Sequence, residues 1–132
     1  MIDKKSSKKI DFGKNFQITN CWKSNSMPNG YKLNRVNSEW TIAVITSGNM
    51  KLNNSGQILT ENDIIIFPPN EKQDIVYTNN ACSFWINFVG DNIEKILEQL
   101  GIPSLTICSI TTPETISIIE RIINEHLLKN LY

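Results

Sequence analysis

Apolar residues in the first two-thirds of the chain recur at steps of two, in short runs separated by Gly, Asn and Pro. Only after Gly90 does the step lengthen to three and four. A period of two marks half-buried strands, and the longer step marks amphipathic helices. The pattern predicts strands over residues 16–22, 31–35, 40–46, 50–53, 57–60, 64–67, 74–78 and 83–89. Residues 64–67 are apolar throughout, as in a strand buried on both faces, and Pro68 and Pro69 end it because proline cannot extend a ladder. Asn54, Ser55 and Gly56 close a hairpin, and Asn29-Gly30 supplies the left-handed conformations of a sharp reversal. Asp63 ends a tight turn in which its carboxylate would cap backbone amides, and Asn62 before it tolerates positive φ.

The helical part begins at Asp91-Asn92-Ile93-Glu94, which has the spacing of a capping box. Ile93, Ile96, Leu97 and Leu100 form one stripe, and Gly101 with Pro103 stops the helix. Thr112-Pro113-Glu114 opens a second helix with an N-cap and a proline at the first helical position. Ile116, Ile119, Ile123, Leu127 and Leu131 then line one face, widened by Ile118 and Ile122. That exceeds the three positions in seven of a core-facing stripe, so the surplus needs the strands or a second copy of the helix to cover it. The fold class expected is mostly β with C-terminal helices. Residues 1–10, with Lys4, Lys5, Lys8 and Lys9, read as a disordered basic arm, 11–90 as a barrel, and 91–132 as a helical segment of the same domain.

Composition narrows the function classes. The 132 residues make one domain, with 13 basic and 13 acidic residues and no net charge. A nucleic-acid grip usually needs a basic face, so these residues alone are not expected to bind DNA. Cys21, Cys82 and Cys108 are odd in number and widely spaced, which fits free thiols in a cytoplasmic protein. His126 is the single histidine and falls in the C-terminal helical stretch, where it reads as a surface or interface residue. A mononuclear metal site needs three or four ligands and a catalytic triad needs a base, so neither a metal, another cofactor nor a catalytic residue is expected. Along residues 83–89, Phe84, Ile86 and Phe88 share one face, while Ser83, Trp85 and Asn87 share the other. The apolar set suits the helices; an indole beside a hydroxyl and an amide suits a ligand pocket.

Taken in order, Ser47-Gly48-Asn49, Asn62-Asp63 with the apolar strand to Pro68-Pro69-Asn70, and Ser83-Phe84-Trp85-Ile86-Asn87-Phe88-Val89-Gly90 resemble the cupin-like barrel of AraC-type transcription regulators. The resemblance spans roughly residues 35–101. It implies a cupin-like (double-stranded β-helix) barrel followed by two α-helices, an effector-sensing and dimerisation unit whose partners are a small molecule and a second copy of itself. A helix-turn-helix domain for DNA is not among these residues, and the pattern is still helical and apolar at Tyr132, so that domain is expected elsewhere. Asn62 stands where the family usually has glycine, and Gln73 and Asn87 stand where related sequences carry histidines. Arg35, Ser83 and Trp85 match ligand-contacting positions of a sugar-responsive member, and Gln73 and Asn87 complete the expected pocket. A sugar is the ligand class this suggests, although Ile75 replaces a tyrosine of that member. A small cupin enzyme, an isomerase or dioxygenase, and a free-standing binding protein are the competing readings. Pairing through Ile116, Ile119, Ile123, Leu127 and Leu131 is what the resemblance implies for the dimer.

Overall fold

The computed structural model describes residues 15–102, 104–109, 112, 113, 115 and 120. The expected basic arm, the dimerisation positions Ile116, Ile119, Ile123, Leu127 and Leu131, and His126 lie outside these residues. So does most of the expected second helix.

Among the described residues seven strands form one antiparallel sheet: β1 (Gln17–Ser24), β2 (Lys32–Val36), β3 (Trp40–Leu52), β4 (Ile58–Leu59), β5 (Asp63–Phe67), β6 (Lys72–Val89) and β7 (Cys108–Ser109). One helix, α1 (Ile93–Leu100), follows β6. The described residues are therefore mostly β with one short helix, where the sequence predicted two.

Two pairs of predicted strands are single long strands. Residues 40–46 and 50–53 are both in the 13-residue β3, and 74–78 and 83–89 are both in the 18-residue β6. The polar positions between them are bends inside a strand and not turns between strands. Gly48 in β3 (φ 74°) and Asn79 and Asn80 in β6 (φ 57° and 51°) take the left-handed conformation, and the β3–β6 register shifts on either side of Ser47. At this corner the two strands fold over together. A Cβ on Gly48 would lie 2.5 Å from the Ala81 Cα and 2.8 Å from the Asn79 carbonyl oxygen, so only glycine lets the backbones close.

The fold gives the sheet two apolar sides. Ile18, Trp40, Ile42, Ile64, Ile86 and Phe88 pack on one side with Ile93, Ile96 and Leu97 of α1. On the other side Ala43, Ile45, Ile65, Phe67 and Trp85 meet Met50, Leu52, Ile75 and Tyr77 from beyond the corner, which encloses an inner cluster. Strand β5 contributes to both sides, as its uninterrupted apolar run predicts. Hydrogen bonding orders the sheet as β1-β6-β3-β5-β7, with β2 pairing β6 and β4 pairing β3.

Local signals hold at three points and fail at one. Asn62 has φ 72°, and Asp63 Oδ2 accepts a hydrogen bond from the Thr60 amide at 2.8 Å, so the turn forms without glycine. Gly101 ends α1 at φ 71°. The Thr112 hydroxyl oxygen accepts from the Thr115 amide at 3.4 Å, the bond of an N-cap. The capping box at Asp91 does not form: Asn92 is the N-cap with no side-chain bond, and Asp91 instead accepts from the Asn15 side-chain amide. A partner from before β1 has taken the carboxylate.

Candidate functional site

The faces of β6 fall as its alternation predicts. Trp85 is wholly buried in the inner cluster, while Ile86 and Phe88 are buried on the α1 side with Phe84 packed against them. Around Trp85 the sheet supplies unequal neighbours. Ala43 of β3 is in register with it on one side and Trp22 of β1 on the other. The small alanine leaves room beside the indole, and the two tryptophan rings stack with centroids 5.7 Å apart and planes 4° from parallel. The Trp85 indole N–H donates to the Ser83 hydroxyl at 2.9 Å.

Arg35 reaches this pair from β2. Its guanidinium carbon lies 4.9 Å from the Trp22 ring centre and 5.0 Å from that of Trp85, within cation–π range of both. A hydrogen-bonded chain fixes it from below. Arg35 Nε donates to Gln73 Oε1 at 2.9 Å, Gln73 Nε2 donates to Thr41 Oγ1 at 3.1 Å, and Thr41 Oγ1 donates to Asn87 Oδ1 at 2.9 Å. The direction of donation is the same at every step, because guanidinium can only donate and each amide then has one oxygen and one nitrogen to offer. Gln73, Thr41 and Asn87 are all buried. Polar groups so placed are costly unless bonded, so the chain is a deliberate feature of an otherwise apolar interior.

Burial governs the electrostatics. It holds the Arg35 pKa below its ordinary value, partly offset by the Tyr77 hydroxyl, yet a guanidinium stays charged at neutral pH. Tyr77 is pushed up chiefly by burial, against hydrogen bonds to Ser83, Ser24 and Trp85 and the positive charge of Arg35. Arg35 Nη2 is buried and has no hydrogen-bond partner among the described residues.

All five pocket residues named from sequence, Arg35, Gln73, Ser83, Trp85 and Asn87, thus belong to one contiguous group. Sequence reasoning missed Trp22, Thr41 and Tyr77. Thr41 carried a weak signal, as a hydroxyl within the otherwise apolar run from Trp40 to Ile45. Trp22 carried none, because its place depends on β1 pairing with a strand far along the chain.

The larger openings are elsewhere. A groove of about 680 Å³ lies between Trp40, Pro68 and α1, with Glu94 and Glu98 on its rim and no cationic lining. A smaller opening of about 120 Å³ reaches the inner cluster at Leu52 and Phe67. The size of the outer groove does not outweigh the chemistry of the inner group, since a selective site needs convergent polar groups as well as space. Among the described residues no three His, Cys, Asp or Glu side chains gather as metal ligands, and no helix is long and apolar enough to cross a membrane.

The AraC-like ligand binding domain matches residues 28–125. The chain belongs to this family. ToxT from Vibrio cholerae has a similar structure, with a TM-score of 0.51 and 15% identity over 83% of this chain. The chain spans about half of ToxT, covering 48% of it. A variant of oxalate decarboxylase OxdC from Bacillus subtilis aligns at a TM-score of 0.40 and 15% identity, over 64% of this chain and 29% of the enzyme. At such identities likeness speaks to fold alone. No curated protein matches the chain by sequence.

Proposed function

We propose that this AraC-like domain is the effector sensor of a transcription regulator. A small molecule with a polar ring, a sugar or a compound of that kind, binds on the inner side of the sheet against Trp85 and Trp22. Gln73, Thr41, Asn87 and Ser83 select it by hydrogen bonding. A DNA-binding domain beyond these residues responds, and two copies pair through the 112–132 segment. One observation supports the reading above the rest: a bonded polar chain ending in a guanidinium is built into a wall that is otherwise apolar.

Occupancy has a route outward. Arg35 and Trp22 sit on β2 and β1, strands that pair with β6 alone, whereas Trp85, Gln73 and Asn87 belong to β6 itself, at the centre of the sheet. A ligand that displaced Arg35 from the indoles would move the singly paired strands first. Such coupling requires the ligand to favour one arrangement over the other.

The test is a titration of the purified protein with a panel of neutral and acidic monosaccharides, read by tryptophan emission and Tm. A ligand of this site should quench or shift the emission and raise Tm. Trp85→Ala should weaken its binding by ~1–3 kcal/mol, the usual scale for a buried aromatic anchor. Binding of unchanged strength in Trp85→Ala would remove the site from the inner cluster.

A further inference from the structure

Arg35 poses a problem that the described residues leave unsolved. Its side chain is half-buried among indoles, it cannot shed its proton, and buried Nη2 has no acceptor among the described residues. Nε is satisfied by Gln73, and among the described residues Tyr77 is the ionisable neighbour that acts on the charge. No carboxylate among the described residues pairs with it. Cation–π contact with Trp22 and Trp85 offsets part of the lost hydration but offers no lone pair to an N–H. A buried cation is ordinarily accompanied by an anion, because desolvation is costly when the charge is unpaired. The planar guanidinium fork matches a carboxylate in two parallel hydrogen bonds.

We infer that the effector carries a carboxylate, which Arg35 receives while the body of the molecule lies against the Trp22–Trp85 pair. This rests on the effector-binding reading above and adds the charge of the ligand to it. The orientation of Arg35 supports the inference. With Nε held by Gln73, and Gln73 held in turn by Thr41 and Asn87, the unbonded end of the guanidinium is the end left free for a ligand. The site also discriminates against competitors: a neutral molecule of the same shape can offer Nη2 a hydroxyl oxygen but leaves the buried charge without a counter-ion, and a cation meets a like charge.

The experiment compares matched probes that differ in one carboxylate: D-glucuronate against D-glucose, D-galacturonate against D-galactose, and benzoate against benzyl alcohol. Titrations are run on the whole chain at constant ionic strength with sodium chloride, reading tryptophan emission and Tm. At least one acid should bind about ten- to hundredfold more tightly than its neutral partner, the factor expected of a charge-assisted hydrogen bond. Arg35→Gln should abolish that preference, and Arg35→Lys should keep part of it. The wild-type comparison stands even if either variant fails to fold. If every acid that binds is matched in affinity by its neutral partner, the inference is overturned and the effector-binding reading is left intact. Acid preference persisting in folded Arg35→Gln would overturn it too. Silence from all six probes would count against both.

Discussion

Thr41→Val is the substitution that most directly tests whether the polar chain is built for bonding or merely tolerated. Valine has nearly the shape of threonine and is the better β-former, so at a wholly buried strand position an apolar wall should accept it. Here the hydroxyl has two partners. It accepts from Gln73 at 3.1 Å and donates to Asn87 at 2.9 Å. Removing it orphans a buried amide N–H and a buried amide oxygen, each at ~1–3 kcal/mol. The added methyl returns roughly 1 kcal/mol of apolar burial, and rotation of the freed amides recovers some of the rest. The net loss expected is about 2–3 kcal/mol. Thr41→Ser keeps the hydroxyl and removes the methyl, at about 1 kcal/mol for the lost burial. The apolar-wall view predicts the opposite order, with valine the more stable.

The assay is urea unfolding followed by far-UV circular dichroism, with midpoints compared at a common m-value. A net loss of this size is well inside the ~5–15 kcal/mol of an ordinary domain, so both variants should stay folded. Thr41→Val should unfold at lower urea than Thr41→Ser. Finding valine equal to or above serine would refute the reasoning, and with it the claim that Gln73 is held in place to orient Arg35.

Two further expectations come from other parts of the chain. Gly48→Ala puts a Cβ 2.5 Å from the Ala81 Cα at φ 74°, while Gly56→Ala at φ 75° meets nothing within 4 Å. In urea unfolding Gly56→Ala should therefore lose only the ~1–2 kcal/mol of the left-handed conformation, and Gly48→Ala distinctly more; equal losses would mean that the β3–β6 corner is not closely packed. For the dimer, Ile119→Glu with Ile123→Glu should lower the mass measured by sedimentation from two chains to one, and a wild type that sediments as a monomer at every concentration ends that proposal.

How far the sequence could be read depended on the range of the interactions. Strand positions and faces followed from period-two alternation, a local signal, so Trp85 and Phe88 were separable from six consecutive letters. The turn at Asn62-Asp63 was legible for the same reason: the bonds from the Thr60 amide to Asp63 Oδ2 and from the Asp63 amide to the Thr60 carbonyl close within four residues. The bends at Gly48 and at Asn79-Asn80 were misread as strand ends, because glycine and asparagine mark positive φ wherever it occurs. Positive φ is compatible with a corner inside a continuous strand as well as with a turn between two. Asp91 failed as a helix cap because Asn15, far away in sequence, supplied a competing donor. Trp22 joined the site only through the β1–β6 register. No local pattern encodes a register between strands so far apart.

That register also carries an argument about how the inner site meets the helix. Trp22 and Ile18 are four residues apart in β1, and in an uninterrupted strand they would share a face. They do not: Trp22 packs with the inner cluster, and Ile18 packs with Phe16, Ile93 and Leu97 on the α1 side. The exchange is made by the register shift between Ile18 and Asn20, an irregularity that turns the rest of the strand over. One short strand thus touches the candidate ligand platform at one end and the helix-covered core at the other. Phe16, just before β1, continues the contact, its ring 5.8 Å from that of Phe88. Because β1 pairs with β6 alone, it can shift without breaking the β3–β6 ladder that pairs Thr41 with Asn87 or the β2–β6 ladder that pairs Arg35 with Gln73. The proposed relay therefore runs through β1, from Trp22 to Ile18 and Phe16 and so to α1. A ligand that altered Trp22 emission and left hydrogen exchange in α1 unchanged would break the relay at that step and leave the ligand site itself standing.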